Sequence, residues 1–296
     1  MQSNKYYDHY HSHFIDLEQE GCNLNAWKQN YGQALFAKHP KGFLVFLPPD
    51  ELDVCDEYSK SDPYTVETNI ENEFHKRRID CTLKMIKEAV NKIEGVPRIL
   101  DLGCGQGHIT SIIQKAFLGA EVSGLDYSIS AIEYAADHFS GIDFIVGNAY
   151  ESPYAENYFD IVVCNNLWEH VFDPLVLLKR ISMIIKFSGF LIISTPSRYR
   201  VGNLLRVLRG KPVRLMSTHH VTEYSVGQVI EQLFFGGFKV IEIFSKPLRT
   251  SNVIVAVANK IFSLFIHLTG SHHQLESTVF YLAQKEENVT KQSELA

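Results

Sequence analysis

Arg98 to Thr110 reads Arg-Ile-Leu-Asp-Leu-Gly-Cys-Gly-Gln-Gly-His-Ile-Thr, and the reading of this stretch decides the fold. Ile99, Leu100 and Leu102 form a short apolar run of the kind that makes a buried parallel strand. Gly103, Gly105 and Gly107 then remove three side chains within five residues. Bare backbone of this kind turns sharply and admits a ligand close to the main chain. From His108 to Ala116 the pattern turns helical, with Ile109, Ile112, Ile113 and Ala116 at helical spacing. Strand, glycine turn and helix make the opening unit of a nucleotide-binding α/β domain.

The details of the loop select the ligand. A dinucleotide fingerprint, G-x-G-x-x-G, would place its third glycine at position 108, where this chain has His; here that glycine comes one residue early. This spacing disfavours an NAD(P)-dependent reductase. Asp101, at the strand end, would repel a pyrophosphate and suits a ligand with a cationic amino group. The stretch resembles motif I of the class I S-adenosylmethionine (SAM) methyltransferases, whose pattern is acidic-x-Gly-x-Gly-x-Gly. The resemblance implies that Asp101, Gly103, Cys104 and Gly105 bind SAM. It also implies a doubly wound, mostly parallel α/β sheet of seven strands with the last one reversed.

Later stretches fall where that family expects them. Glu121 to Leu125 reads as the second strand and ends at Asp126, 25 positions after Asp101. An acid at this point accepts hydrogen bonds from ribose hydroxyls, and the resemblance assigns Asp126 to the SAM ribose and Tyr127 to its adenine or ribose flank. Helix N-capping is the competing role for Asp126; Ser128 or Ser130 can also cap the helix read over Ala131 to His138. Asp143 to Val146 is the third strand, followed by Gly147-Asn148-Ala149. Asn148 stands where the family commonly has an adenine-binding Asp, and it can both donate and accept; Ala149 completes that contact. A turn-forming Asn is the alternative.

Ile161 to Cys164 is the fourth strand, and Asn165-Asn166-Leu167-Trp168-Glu169-His170-Val171 follows it. The Glu-His-Val tripeptide is similar to that of ubiquinone-biosynthesis-type small-molecule O-methyltransferases. This implies backbone contacts from Cys164 and Asn165 to the SAM amino group, and side chains beyond them facing the methyl. Some enzymes of that type gather carboxylates and a His around a divalent cation here. One such carboxylate position reads Asn166, so no metal is expected. His170 is the first candidate for a catalytic base, with His219 and His220 next; ordering the loop is its competing role. Cys104 reads as a small side chain beside the cofactor, since nothing nearby marks it for thiolate formation. His9, His11 and His13 alternate without a partner set at metal-ligand spacing.

Asp173-Pro174 starts a helix expected to run to Ser188-Gly189, and Phe190 to Ile193 is the fifth strand. Residues 197–222 form an insert, loop or helix, that carries Arg198, Arg200, Arg206, Arg209, Lys211 and Arg214; an anionic acceptor group or plain solvation would account for it. Ser225 to Gln228 has the form of a capping box. Lys239 to Phe244 and Val279 to Gln284 are the last two strands, split by an insert at 246–276. Its apolar stretch, Val253 to Leu268, is too short to span a bilayer. Covering the pocket, pairing in a homodimer and touching a membrane surface all stay open for it.

Before the glycine unit, residues 1–94 read as an N-terminal helical extension or lid over the acceptor pocket. Phe43 to Leu47 is apolar within it, and a helix runs from Asn72 to Ile93. A separate binding domain is the alternative. Residues 95–285 are the SAM-binding domain and 286–296 a flexible tail. The chain has 296 residues, 45% of them hydrophobic, and a net charge of −6, which excludes disorder and disfavours a nucleic-acid partner. Five cysteines without a C-x-x-C pair and an N-terminus without an apolar core point to the cytoplasm. The expected activity is methyl transfer to a small molecule, most readily at oxygen: a sugar, sugar nucleotide, quinone-type or polyketide phenol. A SAM-binding scaffold without turnover would use the same cofactor residues.

Overall fold

The structure is a computed structural model that describes residues 4–32, 34–54, 73–245, 253–269 and 274–286. The strand expected at the glycine loop is β6 (Arg98–Leu102). Around it lie β7 (Glu121–Asp126), β8 (Asp143–Val146), β9 (Phe159–Asn165), β10 (Ile185–Pro196), β11 (Phe238–Phe244) and β12 (Thr278–Lys285). These are the seven expected strands. β7, β6, β9 and β10 pair in parallel, as do β7 and β8, while β12 runs antiparallel between β10 and β11.

The sheet does not stop at seven. Among the described residues its order is β11-β12-β10-β9-β6-β7-β8-β5-β4-β3, ten strands. The three added ones, β3 (Gly21–Asn23), β4 (Phe36–Lys38) and β5 (Leu44–Val45), come from the segment expected to be a helical extension. β5 pairs in parallel with β8, so the apolar run at Phe43 to Leu47 covers an edge that would otherwise present unpaired backbone. A separate hairpin joins β1 (Tyr7–Asp8) to β2 (His13–Phe14). Among the described residues, the helices in this segment are the short α1 (Leu24–Gln29) and α2 (Pro49–Val54), then the long α3 (Glu73–Val90). Trp27 of α1 is buried and donates from Nε1 to the Leu47 carbonyl at 2.8 Å.

Period-two alternation places both apolar sets of each strand. Leu100, Leu102, Val162, Cys164, Leu191 and Ile193 point to one face. There they meet α6 (Pro174–Ile184) and α8 (Val226–Phe235). Ile99, Ile161, Val163, Phe190 and Ile192 point to the other, against α3 and α4 (His108–Ala116). A strand covered on both faces reads as a continuous apolar run, which is why β6 and β9 were legible. A third cluster joins Trp27, Phe43, Val45 and Leu47 to Phe144 and to Ile132 and Ala135 of α5 (Ile129–His138).

The helix expected to end at Ser188-Gly189 stops earlier. α6 ends at Ile184, and Ile185 already pairs with Phe159. The register slips before Phe190, where Ser188 takes φ 60° and a Cβ on Gly189 would lie 2.9 Å from the Asp160 carbonyl. The Ser-Gly pair is a bulge within a strand and not a helix stop. The capping box forms as read, with Ser225 Oγ accepting from Gln228 N at 3.3 Å and Gln228 Oε1 accepting from Ser225 N at 2.9 Å. Both inserts carry helices, α7 (Val201–Leu208) and α9 (Val253–Thr269). Within the second insert, residues 246–252 and 270–273 lie outside the described residues, as does the expected tail from 287 onward.

Candidate active site

β7 and β8 lie on one side of β6 and β9 on the other, so the strand order reverses at β6. The carboxyl edge at such a reversal is where open α/β sheets bind ligands. Gly103, Gly105 and Gly107 occupy this edge with φ of 77°, 53° and 76°, a region that side chains rarely adopt. The loop hangs from the neighbouring strand: Gly103 N and Cys104 N both donate to the Leu125 carbonyl, at 2.8 and 3.1 Å. A Cβ at Gly107 would lie 2.8 Å from the Phe144 ring, so space as well as φ demands glycine there.

Asp101 is 3% exposed behind the loop and accepts from Thr110 Oγ1 at 2.7 Å. Burial pushes its carboxyl up to about 6, against the hydroxyl bond and the nearby Arg78, with Asp126 adding to the rise. A carboxylate held in this way lacks a full countercharge, which a bound ammonium group would supply. Asp126 ends β7 and spans two structures: Oδ2 accepts from Gly105 N at 2.7 Å and Oδ1 from Ser128 N at 2.9 Å. Ser128 Oγ in turn caps α5. The carboxylate therefore holds the glycine loop, a job its position as a ribose acceptor did not require. Asp101 and Asp126 lie near enough for the second carboxylate to add to the rise of the first.

Tyr127 donates to the Glu51 carboxylate on α2, which brings the N-terminal segment to the rim beside Asp126. Asn148 Oδ1 accepts from Tyr150 N at 3.0 Å and caps a short 3-10 turn that starts at Ala149. Its carbonyl thus does the turn-forming work, and Asn148 and Ala149 stand at the end of β8. Asn165 closes β9 and exchanges hydrogen bonds with Thr82 of α3, at 3.1 and 3.4 Å. Cys104 keeps its proton, because burial pushes the thiol well up.

Beyond β9 the chain turns at Asn166, a non-glycine residue with φ 52°. Four contacts over-determine it. Its N donates to the Ser194 carbonyl at 2.8 Å. Its Oδ1 accepts from Ser194 Oγ at 3.2 Å and Arg78 Nη1 at 3.3 Å, and its Nδ2 donates to Glu169 Oε1 at 2.9 Å. Glu169 is fully buried and also accepts from Thr195 Oγ1 at 3.1 Å; burial raises its carboxyl despite these donors.

The insert reaches this point. Val221 N donates to the Glu169 carbonyl at 2.8 Å, and the His220 ring lies 5.1 Å from that of His170, edge on. His170 Nδ1 contacts the His219 carbonyl at 3.2 Å. A carbonyl only accepts, so Nδ1 carries the proton and the ring's lone pair sits on Nε2. His220 Nδ1 bonds Glu223 Oε1 at 3.0 Å. Ligand atoms of Glu169, His170 and His220 all lie within 4.8 Å of one another. One carboxylate and two imidazoles suit a divalent cation, and these are the residues that could hold one. The absence of a carboxylate at 166 did not anticipate this, since His220 arrives from 50 residues away.

A family model described as a methyltransferase domain matches residues 95–233, from the strand before the glycine loop into α8. Residues 95–233 thus match a methyltransferase domain, and with the relatives that follow they support a class I SAM-dependent methyltransferase. The chain is 27% identical over 154 residues to a ubiquinone biosynthesis O-methyltransferase of Actinobacillus pleuropneumoniae, covering 48% of this chain and 64% of that protein. It is 33% identical over 137 residues to the mitochondrial enzyme of that name from Schizosaccharomyces pombe, covering 44% and 48%. The chain therefore spans about half to two thirds of these relatives. Among solved structures, magnesium protoporphyrin IX methyltransferase from Synechocystis, with bound S-adenosylhomocysteine, superposes at a TM-score of 0.52 with 14% identity, over 77% of this chain and 91% of that one. That likeness is one of fold. Asp101, the glycines and Asp126 fall within the matched residues; Arg78, Thr82 and Glu51, which bond Asn166, Asn165 and Tyr127, precede them and carried no motif.

Proposed function

We propose that this chain transfers the methyl group of SAM to an oxygen of a small-molecule acceptor. The observation that carries the reading is the glycine loop itself: a buried Asp101 with a raised carboxyl behind three positive-φ glycines, and Asp126 bonded to the loop at Gly105 N. Asp101 would hold the ammonium group of the cofactor, Asp126 its ribose, and Tyr127 and Asn148 its adenine end. The sulfonium methyl is intrinsically reactive, so the protein's task is to align the acceptor oxygen with the S–methyl bond, worth up to about 7–11 kcal/mol in favourable cases.

A hydroxyl acceptor must also lose a proton. His170 Nε2 is the acceptor of that proton, its ring held through Nδ1 by the His219 carbonyl. The relatives named for ubiquinone biosynthesis O-methylation support a phenolic or quinone-type acceptor for the same chemistry. Incubation with methyl-labelled SAM and a panel of catechols, sugar nucleotides and polyketide phenols, scored by S-adenosylhomocysteine release, tests the reading. His170→Ala should lower kcat by 10²-fold or more with SAM affinity kept, in line with typical general-base contributions of about 10²–10⁴. Unchanged turnover on the true acceptor would remove His170 from the mechanism, and failure to bind SAM in calorimetry would remove the function.

A further inference from the structure

The insert that leaves β10 is closed at its neck. Ser197 pairs with Tyr224 in an isolated bridge, and Arg198 N donates to the Tyr224 carbonyl at 3.0 Å. Beside that neck lies Glu223, 1% exposed. A carboxylate this deep is costly unless its oxygens have donors. Oε2 accepts from Arg200 Nη1; Oε1 accepts from Met216 N and, at 3.0 Å, from His220 Nδ1. Arg200 is held in turn, donating to the carbonyls of Ser197 at 2.9 Å and Arg214 at 2.6 Å.

What this buried pair fixes is one imidazole. A carboxylate only accepts, so Nδ1 of neutral His220 carries the proton and the lone pair sits on Nε2. Among the described residues Nε2 meets no hydrogen-bond partner, although the side chain is only 9% exposed. The backbone sets the same approach: Val221 N and Thr222 N both donate to the Glu169 carbonyl, at 2.8 and 3.3 Å. Ring and main chain thus bring His220 edge on to His170, with ring centroids 5.1 Å apart. A nearly buried acceptor left open is satisfied by a donor that a ligand brings.

We propose that His220 Nε2 accepts a hydrogen bond from the methyl acceptor and orients it, and that Glu223, held by Arg200, is the positioning residue that keeps the lone pair in place. The inference deepens the methyl-transfer reading and rests on His170 as its proton acceptor. His170 takes the proton of the reacting oxygen; His220 takes none and holds another polar hydrogen of the same molecule. The group that orients a reactive ring by its far nitrogen need not touch the substrate itself.

Glu223→Ala should lower kcat/KM for the methyl acceptor about tenfold or more, the worth of a charge-assisted hydrogen bond, with the Kd for SAM unchanged. His220→Ala should do the same. The double variant should lose no more than either single one, because Glu223 acts through the ring. Glu223→Gln, which keeps an oxygen for Met216 N and His220 Nδ1, should recover most of the loss. Arg200→Met with Glu223→Leu removes both charges together, leaves neither buried and unpaired, and should match Glu223→Ala. Nitrogen NMR of the imidazoles in mildly alkaline buffer reads the geometry without turnover: His220 should be the Nδ1–H tautomer in wild type and a mixture in Arg200→Met/Glu223→Leu. Wild-type His220 without that tautomer would overturn the proposal whether or not any acceptor turns over. Additive losses in the double variant would overturn it, as would a fall in SAM affinity as large as that in kcat/KM, or full activity of His220→Ala. Turnover lost to a chelator and restored by magnesium would give the lone pair to a cation and likewise overturn it.

Discussion

Asp101 shows how one side chain can be costly to the fold and useful to the site. Its carboxyl is raised from 3.8 to about 6 because it is buried with one hydroxyl donor and an acid nearby. The free protein thus holds this proton more tightly than the unfolded chain does. The associated stability is full below about pH 3.8 and is lost as pH rises through about 6, a loss of up to about 3 kcal/mol. Asp101→Asn should remove that loss, so the variant's urea midpoint at pH 7.5 should lie above wild type. The same change should weaken SAM at least about tenfold, the worth of a charge-assisted hydrogen bond of roughly 1.5–3 kcal/mol. Wild-type SAM affinity should fall as pH drops below about 6, and calorimetry across pH 5 to 8 would show it. Of the site residues, Asp101, Asp126 and the glycines were legible because their chemistry sits in a short contiguous pattern. The bond from Gly105 N to Asp126 was not, since it joins residues 21 apart in sequence.

At the scale of elements, the candidate site depends on α3 as much as on the strands. Thr82, fully buried on α3, is the partner of the Asn165 amide at the end of β9. Thr82→Val keeps the shape and leaves that amide without its hydroxyl partner, at a cost of about 1–3 kcal/mol. We expect a lower urea midpoint and a raised KM for SAM with kcat less affected. α3 was readable as a helix from its apolar face, yet nothing in its periodicity said that Arg78 and Thr82 would reach Asn166 and Asn165. The end of α6 went the other way. Ser188-Gly189 carries a stop signal, but the pairing of Ile185 with Phe159 had already ended the helix.

For the whole molecule, the N-terminal segment is part of the sheet. β3 to β5 extend it past β8, and Lys5 and Tyr6 bond Asp143 at the start of β8, with Lys5 also donating to Ser123 Oγ at 2.7 Å. Trp27 locks α1 to the Leu47 carbonyl within the cluster that includes Phe144, whose ring lies against Gly107. Trp27→Ala should therefore cost about 3–5 kcal/mol in global unfolding, in a single transition shared with the methyltransferase domain. Independent unfolding of the two parts, seen as two calorimetric peaks, would restore the segment to a separate domain.

The amino-acid sequence by itself determined the strand-loop-helix unit, the acid before the glycines and the acid one strand later. These are local: each rests on the period of a strand or helix, or on backbone that only glycine tolerates. Tertiary structure alone decided which distant groups meet at the candidate site. Edge strands of two or three residues have too short a period to read, and the meeting of Glu169, His170 and His220 depends on where an insert folds back. Contacts of that kind are set by packing across the sheet, and no spacing along the chain encodes them.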